Sequence, residues 1–426
     1  MKNIFRPILS CCFVLIAVIM AFSSCATAPT AAAEPNATTE PTEQKVASKV
    51  EEALQNMVSS KFLQFSQAND LPPELGVFLH METPVGNYNT HVGFSGEPVS
   101  EDTHYRIASV SKTFTAAAIM LLDQEGKLAI DDLITADIPG KDIPYLPDTD
   151  DFAIPHKESI TIRNLLSHRA GVFDVFNDPI PAESSQPYAG MNYIGYMQAI
   201  QGKPDHQFTL EELVSVIAKD QLSYAEPDTL YHYSDVGYML LAGIVERVAG
   251  MSYDRFLQER FFEPLGLHDT SAPWNANDTT LPQPYFTGYT RWDGDFFSTV
   301  EDNMSCQIGP GNIIGTPKDI AHWIRTLLSG RGPLTTDQIQ RMKVIPEGNT
   351  TYALGISAST FGYGHSGAHP GYMNFTAYNE EHDISVVVVA PFIDYDAGDM
   401  TRLYNLLGMF GEISMEALEI AGFTKD

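Results

Sequence analysis

Four consecutive valines, Val386 to Val389, set between Ile384 and Ala390, are the feature that most constrains the fold of this chain. A β-branched apolar run with no polar alternation suits a strand buried on both faces, at the centre of a sheet. Its partners are predicted at both ends of the sequence. Gly76-Val77-Phe78-Leu79-His80 and Asn89 to Phe94 flank Pro84-Val85-Gly86-Asn87, which reads as two strands and a turn. Tyr352 to Ile356 and Tyr372 to Tyr378 read as further strands. Val50, Leu54, Met57 and Val58 share one helical face within Val46 to Phe65, and Thr401 to Ile420 is a closing helix. Residues 127 to 300 are mostly helices and long Pro-rich loops, including Leu210 to Lys219 and Gly237 to Val248. Strands early, helices in the middle and strands late predict a mixed α/β domain in which the helical part is an insertion, provided that the two ends pair into one sheet.

With 426 residues and 44% hydrophobic content, the chain can bury a large core. Its 54 acidic residues against 25 Lys and Arg give a formal charge of -29, which repels phosphate backbones, so nucleic acid is not an expected partner. Lys2 and Arg6 precede an uncharged apolar run from Ile8 to Phe22 that ends in Ser23-Ser24-Cys25. The run is too short for a spanning helix and reads as an export signal over residues 1–24. Small residues before Cys25 resemble a bacterial lipoprotein signal, in which Cys25 becomes the lipidated first residue; the alternative is ordinary cleavage near Ala26-Thr27-Ala28. Residues 25–45, rich in Ala, Thr, Pro and Glu, read as a flexible linker, and 46–426 as the folded domain. Cys11 and Cys12 fall in the signal and Cys25 at its end, so Cys306 stands alone in the folded domain, has no disulfide partner there and reads as a packed side chain.

Three short motifs could carry chemistry. Ser109-Val110-Ser111-Lys112 opens a predicted helix, Ser109 to Glu125, with Gly126 as its stop. Residues at i and i+3 share a helix face, so the Lys112 amine can reach the Ser109 hydroxyl. The helix N-terminus favours negative charge where an alkoxide or oxyanion would form. Apolar neighbours such as Ile107, Phe114 and Ala116 to Ala118 favour a neutral amine, the form able to accept a proton. Tyr233-Ser234-Asp235 follows Pro227-Asp228 and precedes an apolar helix, and its Tyr and carboxylate can face one cavity; taken alone it is a helix entry capped by Asp235. Gly364-His365-Ser366-Gly367-Ala368-His369-Pro370-Gly371 is a turn-rich segment in which backbone can approach a ligand and a His can bind a substrate carboxylate. His365 and His369 do not read as a zinc pair, because Pro370 and the glycine density disfavour a ligating helix and no third ligand is evident.

In the order Ser109-x-x-Lys112, Tyr233-x-Asp235, His365-x-Gly367, these motifs resemble the three signatures of the serine β-lactamase and penicillin-binding protein superfamily. The branch resembled contains class C β-lactamases, D-alanyl-D-alanine carboxypeptidases, D-aminopeptidases and esterases. Tyr105 to Ser109, Ile160 to His168, Phe262 to Leu267 and Gly309 to Gly315 support it. The resemblance implies an antiparallel sheet flanked by helices and an acyl-enzyme formed on Ser109, with Lys112 and Tyr233 sharing proton transfers. It also implies an oxyanion hole from the backbone N–H groups of Ser109 and Ala368, substrate contacts from Asp235, His365, Gly367 and Ala368, and neither cofactor nor metal. His168 reads as structural. Asp235 stands where the family more often has Asn, and a carboxylate there would favour the Lys112 ammonium and repel a substrate carboxylate. The function expected is an exported serine hydrolase of amide, ester or lactam bonds related to D-alanyl-D-alanine carboxypeptidases and β-lactamases, held in the bacterial envelope by a lipid anchor and acting on small molecules or peptidoglycan peptides. An esterase or D-aminopeptidase, or a non-catalytic muropeptide-binding or lactam-binding lipoprotein, are the alternatives.

Overall fold

The computed structural model describes residues 40–72, 74–94, 98–395 and 400–423, with side chains placed from residue 48. The export signal, Cys25 and linker residues 25–39 lie outside the described residues. In chain order the strands are β1 (Val77–Thr83), β2 (Gly86–Val92), β3 (Tyr105–Arg106), β4 (Tyr289–Trp292), β5 (Asp295–Ser298), β6 (Ile314–Gly315), β7 (Ser357–Ala358), β8 (Tyr363–His369), β9 (Tyr372–Asn379), β10 (Ile384–Ala390) and β11 (Phe392–Asp394). Six of them form one antiparallel sheet in the order β2-β1-β10-β9-β8-β7. The early and late strands therefore meet: β1 pairs with β10 through Phe78 opposite Val389 and His80 opposite Val387.

The valine run explains why this sheet is covered on both sides. Val386 and Val388 pack with Leu54 and Val58 of the helix Glu40–Asn69 and with Leu403, Phe410 and Ile413 of the helix Thr401–Ile420. Val387 and Val389 face the opposite way, into a larger core with Phe114, Tyr238 and Trp323. Period-two alternation sends successive valines to opposite cores, and each valine so buried contributes about 1.5–3 kcal/mol relative to exposure. Arg325 ties the second layer to the sheet, donating to Glu82 of β1 at 2.7 Å and to Asp383, beside β10, at 2.8 and 3.1 Å.

Several elements differ from expectation. The first helix begins at Glu40 and so takes in residues 40–45, which composition alone assigns to the linker. Tyr352 to Ile356 is not a strand. Gly355 has φ +75°, and a Cβ there would run into Ala116, so the segment follows the surface of the helix Ser111–Gln124 instead of the sheet edge. The Gly-rich segment is the reverse case: Tyr363–His369 is strand β8, and the turn is confined to Pro370-Gly371. Its glycines serve close packing, since a Cβ on Gly364 would collide with the Thr376 backbone.

Candidate active site

Ser109 lies in a 3₁₀ turn, Ala108–Val110, immediately before the helix Ser111–Gln124, so the regular helix starts two residues later than its sequence suggests. Ala108 is left-handed, φ +51°, a conformation that costs a non-glycine residue about 1 kcal/mol or more. The turn is held from both sides. Ile107 N–H donates to Ile313 O at 3.1 Å, Ile313 N–H donates to Ser111 Oγ at 3.2 Å, and Asn374 Nδ2 donates to Ile107 O at 3.2 Å. Gly367 of β8 lies directly over the turn, with no room for a side chain against Ile107 and Ala108. Because β7 pairs only with Tyr363 and Gly364, β8 from His365 onward has no strand partner on its outer edge among the described residues.

Lys112 is fully buried, and its Nζ has three partners: Asp235 Oδ1 at 2.6 Å, Pro310 O at 3.1 Å and Ser109 Oγ at 3.1 Å. A carboxylate and a carbonyl can only accept, so two N–H bonds are spent on Asp235 and Pro310. The third direction points at Ser109, and there the contact can run either way. An ammonium donates to Oγ, whereas a neutral amine presents its lone pair to the Ser109 hydroxyl proton. Burial drives Lys112 toward the neutral form and outweighs the opposing carboxylates of Asp235 and Asp174, leaving its pKa below the ordinary lysine value.

Asp235 is the first residue of the helix Asp235–Ala249, and the cap is Ser234, whose hydroxyl accepts from Gly237 N–H. The second Asp235 oxygen accepts from Asn177 Nδ2 at 2.9 Å, and the same amide donates to Asp174 Oδ2 at 2.9 Å. Asp174 also accepts from the N–H groups of Asp235, Phe176 and Asn177 at 2.9, 3.0 and 3.2 Å. Burial and the Asp235 charge push the Asp174 carboxyl up to about 7. Its four contacts are all N–H donors and leave a proton no acceptor, so the carboxylate is the form the surroundings satisfy.

The Tyr233 phenol interacts with the Ser109 hydroxyl, and its ring lies 4.7 Å from Lys112 Nζ. Burial and the Asp235 charge hold it protonated well above the ordinary tyrosine range, so Tyr233 meets the serine as a neutral hydroxyl. Its ring is fixed against His168, centroid to centroid 4.1 Å. His168 Nδ1 accepts from Ser234 N–H at 3.1 Å, and burial followed by the Lys112 charge keeps the imidazole neutral. The residue that sequence reads as structural therefore packs directly on Tyr233.

His365 and His369 flank Gly367 on one face of β8 but differ chemically. His365 Nδ1 donates to Ser366 O at 2.6 Å, its Nε2 accepts from Tyr352 OH at 3.1 Å, and burial with the Lys112 charge lowers its pKa to about 3. It is a neutral ring with both nitrogens engaged. His369 Nδ1 donates to Pro370 O at 2.9 Å and Nε2 lies 2.9 Å from Asp302 Oδ2, so both its nitrogens face acceptors.

Ser109, Lys112, Tyr233 and Asp235 are thus joined by direct contacts, with Gly367 against the turn and His365 behind Tyr233, ring centroids 6.4 Å apart. Cys306 is buried, with its thiol toward Asn303 O at 3.5 Å. Sequence reading missed Asp174, Asn177 and Tyr352. A clue for Asp174 is a lone carboxylate inside the apolar stretch Val172-Phe173-Asp174-Val175-Phe176; Tyr352 carries none.

Among solved structures, the D-amino acid amidase from Ochrobactrum anthropi SV3 superposes with TM-score 0.66 at 23% identity over 87% of this chain and 99% of that one. A penicillin binding protein from Bacillus halodurans superposes with TM-score 0.59 at 20% identity over 82% and 98%. These likenesses show the fold. In sequence, the chain is 31% identical over 175 residues to penicillin-binding protein 4* of Bacillus subtilis, covering 41% of this chain and 31% of that protein. It is 28% identical over 302 residues to a putative D-alanyl-D-alanine carboxypeptidase of Escherichia coli O157:H7, covering 62% of this chain and 64% of the relative. The chain therefore spans 31% of the length of the first of these relatives and 64% of the second. The Beta-lactamase family matches residues 86–391, the stretch that runs from β2 to the end of β10 and contains every residue of the site, and the chain belongs to that family.

Proposed function

We propose that this protein is a serine hydrolase that cleaves amide, ester or lactam bonds through an acyl-enzyme on Ser109. The observation that carries this reading is the Lys112 contact set, in which two N–H bonds are consumed by Asp235 and Pro310 and the remaining direction meets Ser109 Oγ at 3.1 Å. As Oγ attacks the substrate carbonyl, its proton passes to the Lys112 lone pair. The Tyr233 hydroxyl gives its proton to the departing nitrogen or oxygen and is reprotonated from Lys112. Water then reverses the sequence and releases the acid. The backbone N–H groups of Ser109 and Ala368 supply the oxyanion hole; the unpaired outer edge of β8 beside the serine turn supports that role.

Neutral substrates fit the site better than a free C-terminal carboxylate. Among the described residues around the serine, Lys112 is paired with Asp235 and His369 with Asp302, His365 is neutral, and Arg106 has no exposed surface. No cation is left to receive a carboxylate. Amides and esters, including amino-acid amides of the kind named for the Ochrobactrum neighbour, are the substrates proposed. Export and a lipid anchor at Cys25 complete the reading and rest on the leader sequence.

The test is intact-mass spectrometry of the soluble domain after reaction with a fluorophosphonate and, separately, a penicillin, followed by peptide mapping. A phosphonate adduct on Ser109 that disappears in Ser109→Ala is expected. A lasting penicillin adduct would mark slow deacylation of lactams, and penicillin hydrolysis without an adduct a β-lactamase. No adduct from either reagent would overturn the reading in favour of a binding protein.

A further inference from the structure

We infer that Asp174, a residue outside the three motifs, is a positioning residue for the Ser109–Lys112 pair, acting through Asn177 and Asp235 to set the orientation and proton affinity of Lys112. The inference rests on the proposed Ser109 chemistry. Its basis is a three-layer arrangement. Lys112 touches Asp235, Asp235 is held by the Asn177 amide, and both the amide and the Asp235 backbone N–H converge on Asp174 Oδ2. Asp174 and Asn177 are both almost completely buried, so water does not substitute for these bonds. Each Asn177 Nδ2 hydrogen goes to one carboxylate, which fixes the rotamer of Asp235 and therefore the side from which it meets Nζ.

The charged and titratable groups around this core come from several elements. Lys112 faces Asp235, Asp174, Tyr233, Tyr238, His168 and His365. Asp174 faces Asp235 and Asp178; its own N–H donates to Tyr224 OH at 3.0 Å, the Tyr224 hydroxyl binds Asp178, and the Tyr224 ring stacks on His232. Against Lys112 the carboxylates of Asp235 and Asp174 favour the ammonium. A second buried carboxylate thus opposes the desolvation that frees the amine lone pair, and it moves the pH at which Lys112 becomes a base upward.

The experiment is the pH dependence of Ser109 phosphonylation in Asp174→Asn. Removing the charge lowers the proton affinity of Lys112, so the acidic limb of the rate profile is expected to shift to lower pH by about one unit. Loss of the orienting contacts lowers the plateau by about tenfold. A uniform loss with an unmoved limb would overturn the inference and leave Asp174 a packing residue. If Asp174→Asn does not fold, Asn177→Ala serves: the unbridged carboxylates take up a proton and the limb moves the same way, whereas a profile that superimposes on wild type after scaling overturns the inference. Absence of labelling in the wild-type protein would instead refute the Ser109 assignment, so the two failures are distinguishable.

Discussion

Gly367→Ala isolates the geometry on which the proposed acylation depends. A Cβ at this position would sit 2.5 Å from Asn374 Nδ2 and 3.2 Å from Ala108 Cβ, and closer still to the Ile107 carbonyl. Ordinary van der Waals contact begins at 3.4 Å, so the serine turn and β8 must part by about 1 Å, and the bond from Asn374 to Ile107 is the first to break. Displacing reacting groups by that distance costs about 10²-fold in rate, or about 2.7 kcal/mol of transition-state stabilisation. Overpacking adds about 1–3 kcal/mol of destabilisation. The assay is kcat and KM on a neutral ester beside the rate of phosphonate labelling, with thermal unfolding measured in parallel. The expected result is a fall carried mainly by kcat, with a folded protein at the assay temperature. Gly408→Ala is the control: in the exposed face of the helix Thr401–Ile420 its Cβ meets nothing within 4 Å, so activity stays level while stability rises by up to about 1 kcal/mol. A Gly367→Ala enzyme within about threefold of wild type in kcat would refute the argument that strand and turn are held at contact distance.

Other outcomes follow from the same geometry. Tyr233→Phe removes the hydroxyl that interacts with Ser109 but keeps the ring on His168, so kcat is expected to fall about 10²–10⁴-fold with little change in melting temperature; retained kcat would exclude Tyr233 from proton transfer. In Asp235→Asn the acidic limb of kcat/KM is expected to move to lower pH by about 1–3 units, because the lost carboxylate had raised the Lys112 pKa, and turnover of free-acid substrates should gain on matched esters; an unmoved limb and unchanged preference would show that Asp235 is electrostatically silent. Burial pushes Glu82 and Asp383 up, but His322 and Arg325 hold Glu82 lower and Arg325 and Arg331 hold Asp383 lower, so their folded pKa values lie below the unfolded ones. Their stabilisation is complete above the ordinary carboxylate range of about 4 and is lost as pH falls through the depressed values. Arg325→Gln is expected to flatten the fall of melting temperature with acid, and an unchanged slope would contradict this linkage.

Much of the frame is legible locally. Ile384–Ala390 and Thr401–Ile420 occupy the residues that their composition and periodicity mark out, because an uninterrupted β-branched run and a long 3.6-residue stripe each leave one stable way to bury themselves. Tyr352 to Ile356 has the composition of a strand but not the structure, since Gly355 must pass against Ala116 of a helix more than two hundred residues earlier. Likewise Gly364 to His369 looks like a turn and is a strand, because the reason for its glycines is the neighbouring backbone of β9 and of the serine turn.

The site divides the same way. Sequence alone determined that Ser109 and Lys112 lie three residues apart at the start of a helix, and that a tyrosine and a carboxylate stand at the entry of an apolar helix, because spacing fixes which side chains can meet along a short stretch of chain. Only the tertiary structure decided the proton chemistry. Whether Lys112 is a base depends on Pro310, Asp235 and Asp174, His365 is held neutral by burial and the Lys112 charge, and His369 finds Asp302 beside its Nε2. These partners come from elements far apart in the chain. Their effects, desolvation and Coulomb interaction at a few ångströms, exist only once folding has excluded water and brought the charges together.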